Sequence, residues 1–245
     1  MRLADVAVFD ARDLRWMARL YGAALAIDVV TGVANGVHRV HSGELYPWRH
    51  LPFVPLYPTP VLFLEWALTL AVAGVLVLGT AQLRRHAWRA AAVVTLIALS
   101  QRYSNHGALA VLVASFVALD PPAIDEGTVT SPMLALVRGQ LGIVYVFSAL
   151  NKLLHGWLGG GSLASLLGVP LGTARILAFA TIACELAVPA FLVFRPRVGF
   201  VLLVVMHASF ALALDNVTSF GVMMAAMAMS FSPLRASSAS PAGAR

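Results

Sequence analysis

Residues 61–81 read VLFLEWALTLAVAGVLVLGTA, an almost uninterrupted apolar stretch that ends shortly before Arg84, Arg85 and His86. A helix rises 1.5 Å per residue and the hydrocarbon core of a bilayer is about 30 Å thick, so about 20 apolar residues span it. The stretch therefore predicts a transmembrane helix that ends at a basic bilayer surface.

The composition extends this prediction to the whole chain of 245 residues. Hydrophobic residues make up 60% of it, charged residues only 11%, and the mean hydropathy is +0.83. A soluble chain has about a quarter charged residues, so this one has too few polar groups to cover a surface in water. The net charge of +6 comes from arginines that are spread between apolar runs, which argues against a nucleic-acid partner.

The apolar runs predict an all-α, polytopic helical membrane bundle with seven or eight transmembrane helices. A Gly-rich stretch at 156–168 is expected to dip into the membrane without crossing it. Residues 1–234 form the predicted transmembrane domain, and residues 235–245 a disordered cytoplasmic tail. The eight runs cover residues 14–35, 61–81, 87–100, 105–119, 133–154, 173–194, 198–214 and 217–231.

The distribution of basic residues predicts the orientation. With a cytoplasmic N-terminus and eight spans, 12 of the 17 basic residues fall on the cytoplasmic side, as the positive-inside rule expects. We therefore expect a multi-pass protein of a bacterial cytoplasmic membrane with both termini in the cytoplasm. The opposite face collects His38, His41, Glu44, Trp48, Arg49, His50, Arg102, Asn105, His106, Lys152, His155 and Asp215.

Lys152 is the strongest candidate for chemistry, because it is the only lysine in the chain. Arginine stays protonated in proteins, whereas a desolvated lysine can lose its proton near neutral pH. Tyr145, Ser148 and His155 share a helix face with it. The alternative is a lysine whose ammonium group reaches the bilayer surface from a helix end.

Two histidines are further candidates. His106 follows Asn105 at the start of a run, shortly after Arg102, and a neutral imidazole could hold a substrate oxygen or shuttle a proton. Asn105 could instead simply cap the helix. His207 lies in the middle of an apolar run, so it must face the bundle interior, either bonding a neighbouring helix or lining a cavity.

Two carboxylates also fall within apolar runs. Glu185 is interpreted as a member of a structural ion pair, with Arg138 or Arg19 as its partner. Asp28 could orient a histidine or bind threonine and backbone groups between helices. The histidines and the single cysteine lack metal-ligand spacing, so no metal is expected.

Several ordered motifs resemble a known family. The segment QLGIVYVFSALNKLLHGWL at 140–158 looks like the signature helix of the HTTM (horizontally transferred transmembrane) domain family, whose domain vitamin K-dependent gamma-carboxylase also carries. NHGAL at 105–109, ELAVP at 185–189, RPR at 195–197 and His207 follow in the family's order. The resemblance covers about residues 12–232.

The resemblance implies a quinol-dependent oxygenase or carboxylase. Its cofactor would be a vitamin K or menaquinol-type hydroquinone, deprotonated by Lys152 as general base. His106 and Asn105 would hold the quinol oxygen or an intermediate, which makes these three the predicted catalytic residues. Tyr145, Ser148, His207 and Arg102 are the predicted cofactor-binding residues.

The chain departs from the carboxylase in two ways. We expect no large extramembrane domain after the spans, and the family's paired lysines appear here as Asn151-Lys152. An alternative is therefore a non-catalytic membrane module that binds a quinone or lipid, or an accessory subunit of a partner protein. A secreted protein or peptide is the other substrate that the enzyme hypothesis implies. A transporter ranks lowest, because no inverted repeat is visible.

Overall fold

The computed structural model describes residues 8–42, 54–102, 104–121, 127–214 and 217–233, with Asn105 described by its backbone only. The predicted tail at 235–245 and the candidates Glu44, Trp48, Arg49, His50 and Asp215 lie outside these residues.

Ten α-helices make up most of the described chain. Two three-residue strands, β1 (Val8–Asp10) and β2 (Thr128–Thr130), pair antiparallel beside them, and two 3₁₀ turns cover Trp157–Gly159 and Met229–Phe231. The helices are α1 (Ala11–Ala34), α2 (His38–His41), α3 (Thr59–Leu78), α4 (Ala81–Gln101), α5 (Asn105–Leu119), α6 (Pro132–Leu154), α7 (Gly161–Leu167), α8 (Leu171–Phe194), α9 (Pro196–Ala213) and α10 (Thr218–Ala228).

Five described helices, α1, α3, α6, α8 and α9, are long and apolar enough to cross a membrane. The prediction of a multi-pass integral membrane protein built from helices is therefore confirmed. Each of the eight predicted apolar runs corresponds to a helix, but α5 and α10 are short and α4 carries three arginines. The count of seven or eight crossings stays a prediction.

The boundary between the second and third runs differs from the prediction. Arg84 and Arg85 lie inside α4 instead of between two helices, because Thr80 caps α4 by accepting a hydrogen bond from the Leu83 amide. The Arg84 guanidinium donates to the carbonyls of Leu76 and Val77 at 3.0 and 3.1 Å. It thereby satisfies carbonyls that the end of α3 leaves without helical partners.

The first helix lies at the centre of the bundle, where it packs against both α3 and α10. Tyr21 of α1 is fully buried, its ring contacts that of Trp88 of α4 in a tilted arrangement with the ring centres 4.7 Å apart, and its hydroxyl donates to the carbonyl of Ala110 at 2.8 Å. Gly22 allows the close approach to α3, since a Cβ there would lie 2.7 Å from the carbonyl oxygen of Ala73. Other neighbouring pairs include α3 with α4, α4 with α5, α6 with α8, α8 with α9, and α9 with α10.

Contacts between distant segments show that the helix ends lie at two opposite ends of the bundle. We call the first of these the basic end, because Arg138 and Arg197 lie there. Arg138 donates to the carbonyls of Ser230 and Val8 at 2.6 and 3.1 Å, and Arg197 donates to that of Pro233 at 3.3 Å. α1, α4, α6 and α9 begin at the basic end. We call the opposite end the polar end, because the tips of α1, α3, α4 and α5 meet there through charged side chains. Successive long helices therefore run in alternating directions.

The Gly-rich segment is too short to cross a bilayer. It contains a 3₁₀ turn and the seven-residue α7, which at 1.5 Å per residue is about 10 Å long. Arg175 of α8 holds this segment by donating to the carbonyl of Gly159 at 3.2 Å.

Candidate functional site

A cavity of about 230 Å³ lies towards the polar end, between α1, α3, α4, α5 and α10. Its walls are mostly apolar, with side chains such as Val29, Val94, Leu99 and Met223. Its polar lining comes from a smaller set of residues, namely Asp28, Thr31, Asn35, Glu65, Thr69, Thr95, Arg102, Ser104, His106 and Ser219. The threonines at 69 and 95 bond carbonyls of their own helices, and the ionisable side chains of the lining are those of Asp28, Glu65, Arg102 and His106.

One charged pair in the cavity wall joins α1 to α5. His106 Nε2 lies 3.0 Å from Asp28 Oδ1. Because an ionised carboxylate only accepts hydrogen bonds, a bond to it requires the proton on Nε2, which in an uncharged ring leaves the lone pair on Nδ1. Of the two roles considered for Asp28, the structure shows the first, the orientation of a histidine.

The helix start at α5 fixes the position of His106. Ser104 is the N-cap, and its hydroxyl accepts a hydrogen bond from the Gly107 amide at 3.0 Å. Asn105 therefore does not cap the helix, because its backbone is already helical and the cap precedes it. The side chain of Asn105 lies outside the described residues, so its proposed role stays a prediction.

A second charged group lines the cavity near Trp66. Arg102 donates from Nη2 to Glu65 Oε1 at 3.1 Å, while the hydroxyl of Tyr57 donates to Glu65 Oε2. Burial, reinforced by this carboxylate, raises the pKa of Tyr57 well above its usual value, which keeps the phenol a donor. The arginine lies 5.9 Å from the Trp66 ring. The predicted cofactor residue Arg102 thus lines the cavity.

A short segment before α3, residues 54–58, packs beside the Arg102–Glu65 pair. The Tyr57 amide donates to Gln101 Oε1 at 3.0 Å, and His41 Nδ1 lies 2.9 Å from the Tyr57 carbonyl oxygen. The rings of His41 and Tyr57 stack at 5.0 Å. Residues 54–58 are thereby fixed to the tips of α2 and α4 at the polar end.

Lys152 lies in a different place, between α6 and α8. Its Nζ is 2.6 Å from Glu185 Oε1 and 2.6 Å from the hydroxyl of Ser148, which donates to the same carboxylate oxygen at 2.9 Å. The expected ion pair of Glu185 is present, but the expected partners were wrong. Arg138 is held by carbonyls at the basic end, and Arg19 stacks on Trp16.

The remaining predicted residues, Tyr145 and His207, bond each other. The Tyr145 hydroxyl lies 2.7 Å from His207 Nε2 between α6 and α9, and both residues are buried. The rings of Phe210 and Phe220 surround the imidazole at 6.0 and 5.4 Å. Of the two roles left open for His207, the structure shows the helix-to-helix bond, and the residue does not line the cavity.

The structure thus divides the predicted site into three groups. His106 and Arg102 line the cavity, Lys152 and Ser148 bind Glu185, and Tyr145 binds His207. His155 bonds the Asn151 carbonyl oxygen and is exposed. Within the part of the chain that the structure describes, no three histidine, cysteine or acidic side chains come together as a metal-ligand set.

The sequence analysis did not identify Glu65 as a site residue, although it lies within the second apolar run. Its side chain is 5% exposed and holds both Arg102 and Tyr57. The available signal was the carboxylate itself, because an ionisable residue within a membrane helix is costly and marks a partner or a site.

No protein-family model matches the sequence, and searches of curated proteins and of solved structures find no significant match. The resemblance to the HTTM family therefore stays a prediction that rests on the motifs quoted above.

Proposed function

We propose that this membrane protein binds the head group of a lipid-soluble hydroquinone in the cavity and accepts a proton from it through His106. The observation that carries the proposal is the 3.0 Å bond between His106 and Asp28 in the wall of a largely apolar cavity. An apolar cavity with a few polar groups is the usual form of a small-molecule site.

The size of the cavity supports a ring-sized ligand. Its volume of about 230 Å³ is below the roughly 300–1,000 Å³ of sites for larger ligands, so a head group fits while a long tail would extend into the lipid. The apolar walls suit an aromatic ring, and the hydroxyls of a hydroquinone would find His106 and Arg102 as polar partners.

The Asp28–His106 pair has the features of a general base. The ring nitrogen that is not bonded to Asp28 would take the hydroxyl proton, which breaks the O–H bond and forms an N–H bond. The Asp28 carboxylate would stabilise the resulting imidazolium and hold the ring in one tautomer. A hydroquinone of the vitamin K or menaquinol type supplies, when bound, the electrons for the oxygen chemistry that the family resemblance implies.

This assignment differs from the role that the resemblance gives Lys152. The cavity is lined by His106, whereas the amine of Lys152 is engaged by Glu185 and Ser148 between other helices. Both assignments predict that a hydroquinone binds. They differ in whether a substitution at His106 or at Lys152 abolishes its binding.

The first experiment measures binding of menadione and its reduced form to the full chain in nanodiscs. Ala98→Leu places a larger side chain in the cavity wall, while Ala67→Leu makes the same change on an exposed face of α3. We expect Ala98→Leu to weaken binding at least tenfold and Ala67→Leu to leave it unchanged. Equal affinities for the two variants would overturn the proposed location.

The second experiment separates the two bases. His106→Gln keeps a donor for Asp28 but removes the basic nitrogen, and we expect it to weaken binding of the reduced probe more than that of the oxidised probe. The double variant Lys152→Met/Glu185→Gln removes the other pair without leaving one charge alone, and we expect it to bind as the wild type. Loss of reduced-probe binding in the double variant alone would assign the proton to Lys152 instead.

Oxygen consumption with the reduced probe distinguishes an enzyme from a binding module. If the protein is an enzyme, we expect the wild type to consume more oxygen than the His106→Gln variant. Binding with no such excess would support the alternative of a non-catalytic membrane module, for which the quinone is a ligand and not a reactant.

A further inference from the structure

The short helix α10 begins inside the bundle and not at its polar surface. It has 11 residues, and the 3₁₀ turn that follows it lies at the basic end, where the Ser230 carbonyl accepts from Arg138. With a rise of about 1.5 Å per α-helical residue and about 2.0 Å per 3₁₀ residue, the two segments together are about 22 Å long, whereas the core of a bilayer is about 30 Å thick. The first turn of α10 therefore lies at the level of the cavity, which Ser219 and Met223 of this helix line.

The backbone donors of this first turn have no partner among the described residues. The first helical hydrogen bond runs from the Gly221 amide to the Val217 carbonyl at 2.9 Å. The amides of Thr218, Ser219 and Phe220 precede that bond and donate to no residue that the structure describes. Val217 occupies the capping position, and its apolar side chain offers no acceptor. Free amides inside a membrane are costly, so an acceptor is expected beside them.

Ser219 adds a side-chain donor at the same place. The residue is 6% exposed and lines the cavity, and its hydroxyl bonds no residue of the described chain. Ser230 shows the usual alternative, because its hydroxyl donates to the Met227 carbonyl in the preceding turn at 2.6 Å. Buried hydroxyl groups normally have a partner. The hydroxyl of Ser219 therefore indicates that a hydrogen-bonding group occupies the cavity next to α10.

The chemistry of these groups favours an oxygen that accepts hydrogen bonds. Backbone amides only donate, and a serine hydroxyl can donate as well. The N-terminus of a helix also carries the positive end of the helix dipole, which attracts partial or full negative charge. A carbonyl, hydroxyl or phenolate oxygen fits such a place, whereas a cation does not.

We propose that the first turn of α10, together with the hydroxyl of Ser219, binds an oxygen of the ring ligand as a hydrogen-bond acceptor. This assignment rests on the proposed function of the cavity. It differs from the role of His106, because Nδ1 of an uncharged imidazole accepts and needs a hydroxyl on the ligand. A quinone and a hydroquinone both carry an oxygen lone pair, so α10 holds the ring in both redox states, whereas His106 favours the reduced state.

The first test measures binding of three probes to the full chain in nanodiscs. Menadione and its reduced form carry two oxygens on the ring, and 2-methylnaphthalene is the same ring without oxygen. Ser219→Ala removes the proposed donor from the cavity. Ser209→Ala is the matched control, because this exposed serine of α9 bonds the Val205 carbonyl of its own helix and lies outside the cavity.

We expect Ser219→Ala to weaken both redox forms by a similar factor of about three to ten, which corresponds to one hydrogen bond. Binding of 2-methylnaphthalene should stay unchanged, because it has no oxygen to accept the bond. The control variant should bind all three probes as the wild type does. An equal loss for 2-methylnaphthalene would mean that the serine acts only by packing, and would contradict the proposal.

The second test occupies the free amides with a side chain of the protein. In Val217→Asn the amide oxygen at the capping position can accept from the first turn, which normally stabilises a helix. We expect a higher melting temperature together with weaker binding of menadione, two changes of opposite sign that damage to the fold would not produce. Val217→Ala offers no acceptor and should bind menadione as the wild type does.

The results separate this inference from the proposed function. If Ala98→Leu weakens menadione binding while Ser219→Ala and Val217→Asn bind it as the wild type does, the ring lies in the cavity but α10 does not hold it. The inference is then overturned and the proposed function stands. If the wild type binds no menadione, both are overturned.

Discussion

Lys152 Nζ lies 2.6 Å from Glu185 Oε1, and the two residues are linked again through the hydroxyl of Ser148. Glu185 stands near the middle of α8, and its side chain is 6% exposed. An isolated charge at such a position is costly, whereas a hydrogen-bonded pair is tolerated. The only lysine of the chain is therefore held by a carboxylate of a neighbouring helix.

Removing one partner of this pair should destabilise the fold. We expect Lys152→Met to lower the free energy of unfolding by about 3–5 kcal/mol, because Glu185 is then buried without a counter-charge. The double variant Lys152→Met/Glu185→Gln should recover most of the loss, and Lys152→Arg should lose little. Unfolding of the four proteins in detergent, followed by circular dichroism, gives these values. A double variant as unstable as the single one would contradict the pairing.

The bond between Tyr145 and His207 should contribute less. Tyr145→Phe removes the hydroxyl at 2.7 Å from Nε2 and leaves the imidazole without that partner, at a cost of about 1–3 kcal/mol. Adding His207→Leu to this variant removes the unsatisfied group, so the two losses should not add. A double-mutant cycle of unfolding free energies measures the coupling, and strict additivity would show that the bond contributes nothing.

The contact of α1 with α3 depends on a missing side chain at Gly22. Gly22→Ala places a Cβ 2.7 Å from the Ala73 carbonyl oxygen, so the helices must separate at a cost of about 1–3 kcal/mol. Gly142→Ala is the matched control, because no atom lies within 4 Å of its new Cβ. Thermal unfolding should show a lower melting temperature for the first variant only. A similar effect of both substitutions would mean that helix packing is not the cause.

Arg138 should hold the small sheet in place at the basic end. Its guanidinium donates to Ser230 and Val8 and lies 4.0 Å from the Phe9 ring. In Arg138→Gln we expect faster hydrogen exchange at the amides of β1 and β2, measured by mass spectrometry. Arg175→Gln, which removes an arginine from the polar end, should leave that exchange unchanged. Unaltered protection in Arg138→Gln would rule out this anchoring role.

The helices could be predicted from the sequence because the bilayer sets their length. The predicted run 105–119 coincides with α5, and most other boundaries differ by a few residues. The larger error was at Arg84, where three basic residues were interpreted as a surface segment although Thr80 caps a helix that includes them. The two strands were not predicted, because a strand of three residues is too short to show the alternation of apolar and polar residues.

The side-chain pairs could be predicted only in part, because they depend on how each helix is rotated against its neighbours. The separation of 33 positions between Lys152 and Glu185 gives no periodic signal, so the sequence suggested arginine partners instead. His106 and Asp28 are 78 positions apart, and only their chemistry suggested the bond. Tyr145 and Ser148 share a face of α6, yet they bind residues on different helices.

The position of α1 between α3 and α10 has a consequence for how the protein is made. The ribosome completes α1 first and Thr218 of α10 only 184 positions after Ala34, which at roughly 5–20 residues per second is a wait of roughly 10–40 s. During that time the face of α1 that later meets α10 must be covered by lipid, by the insertion machinery or by a chaperone. A message cut short before α10 would yield a chain whose earlier helices are inserted but whose bundle stays open, which makes it a natural target for membrane proteases.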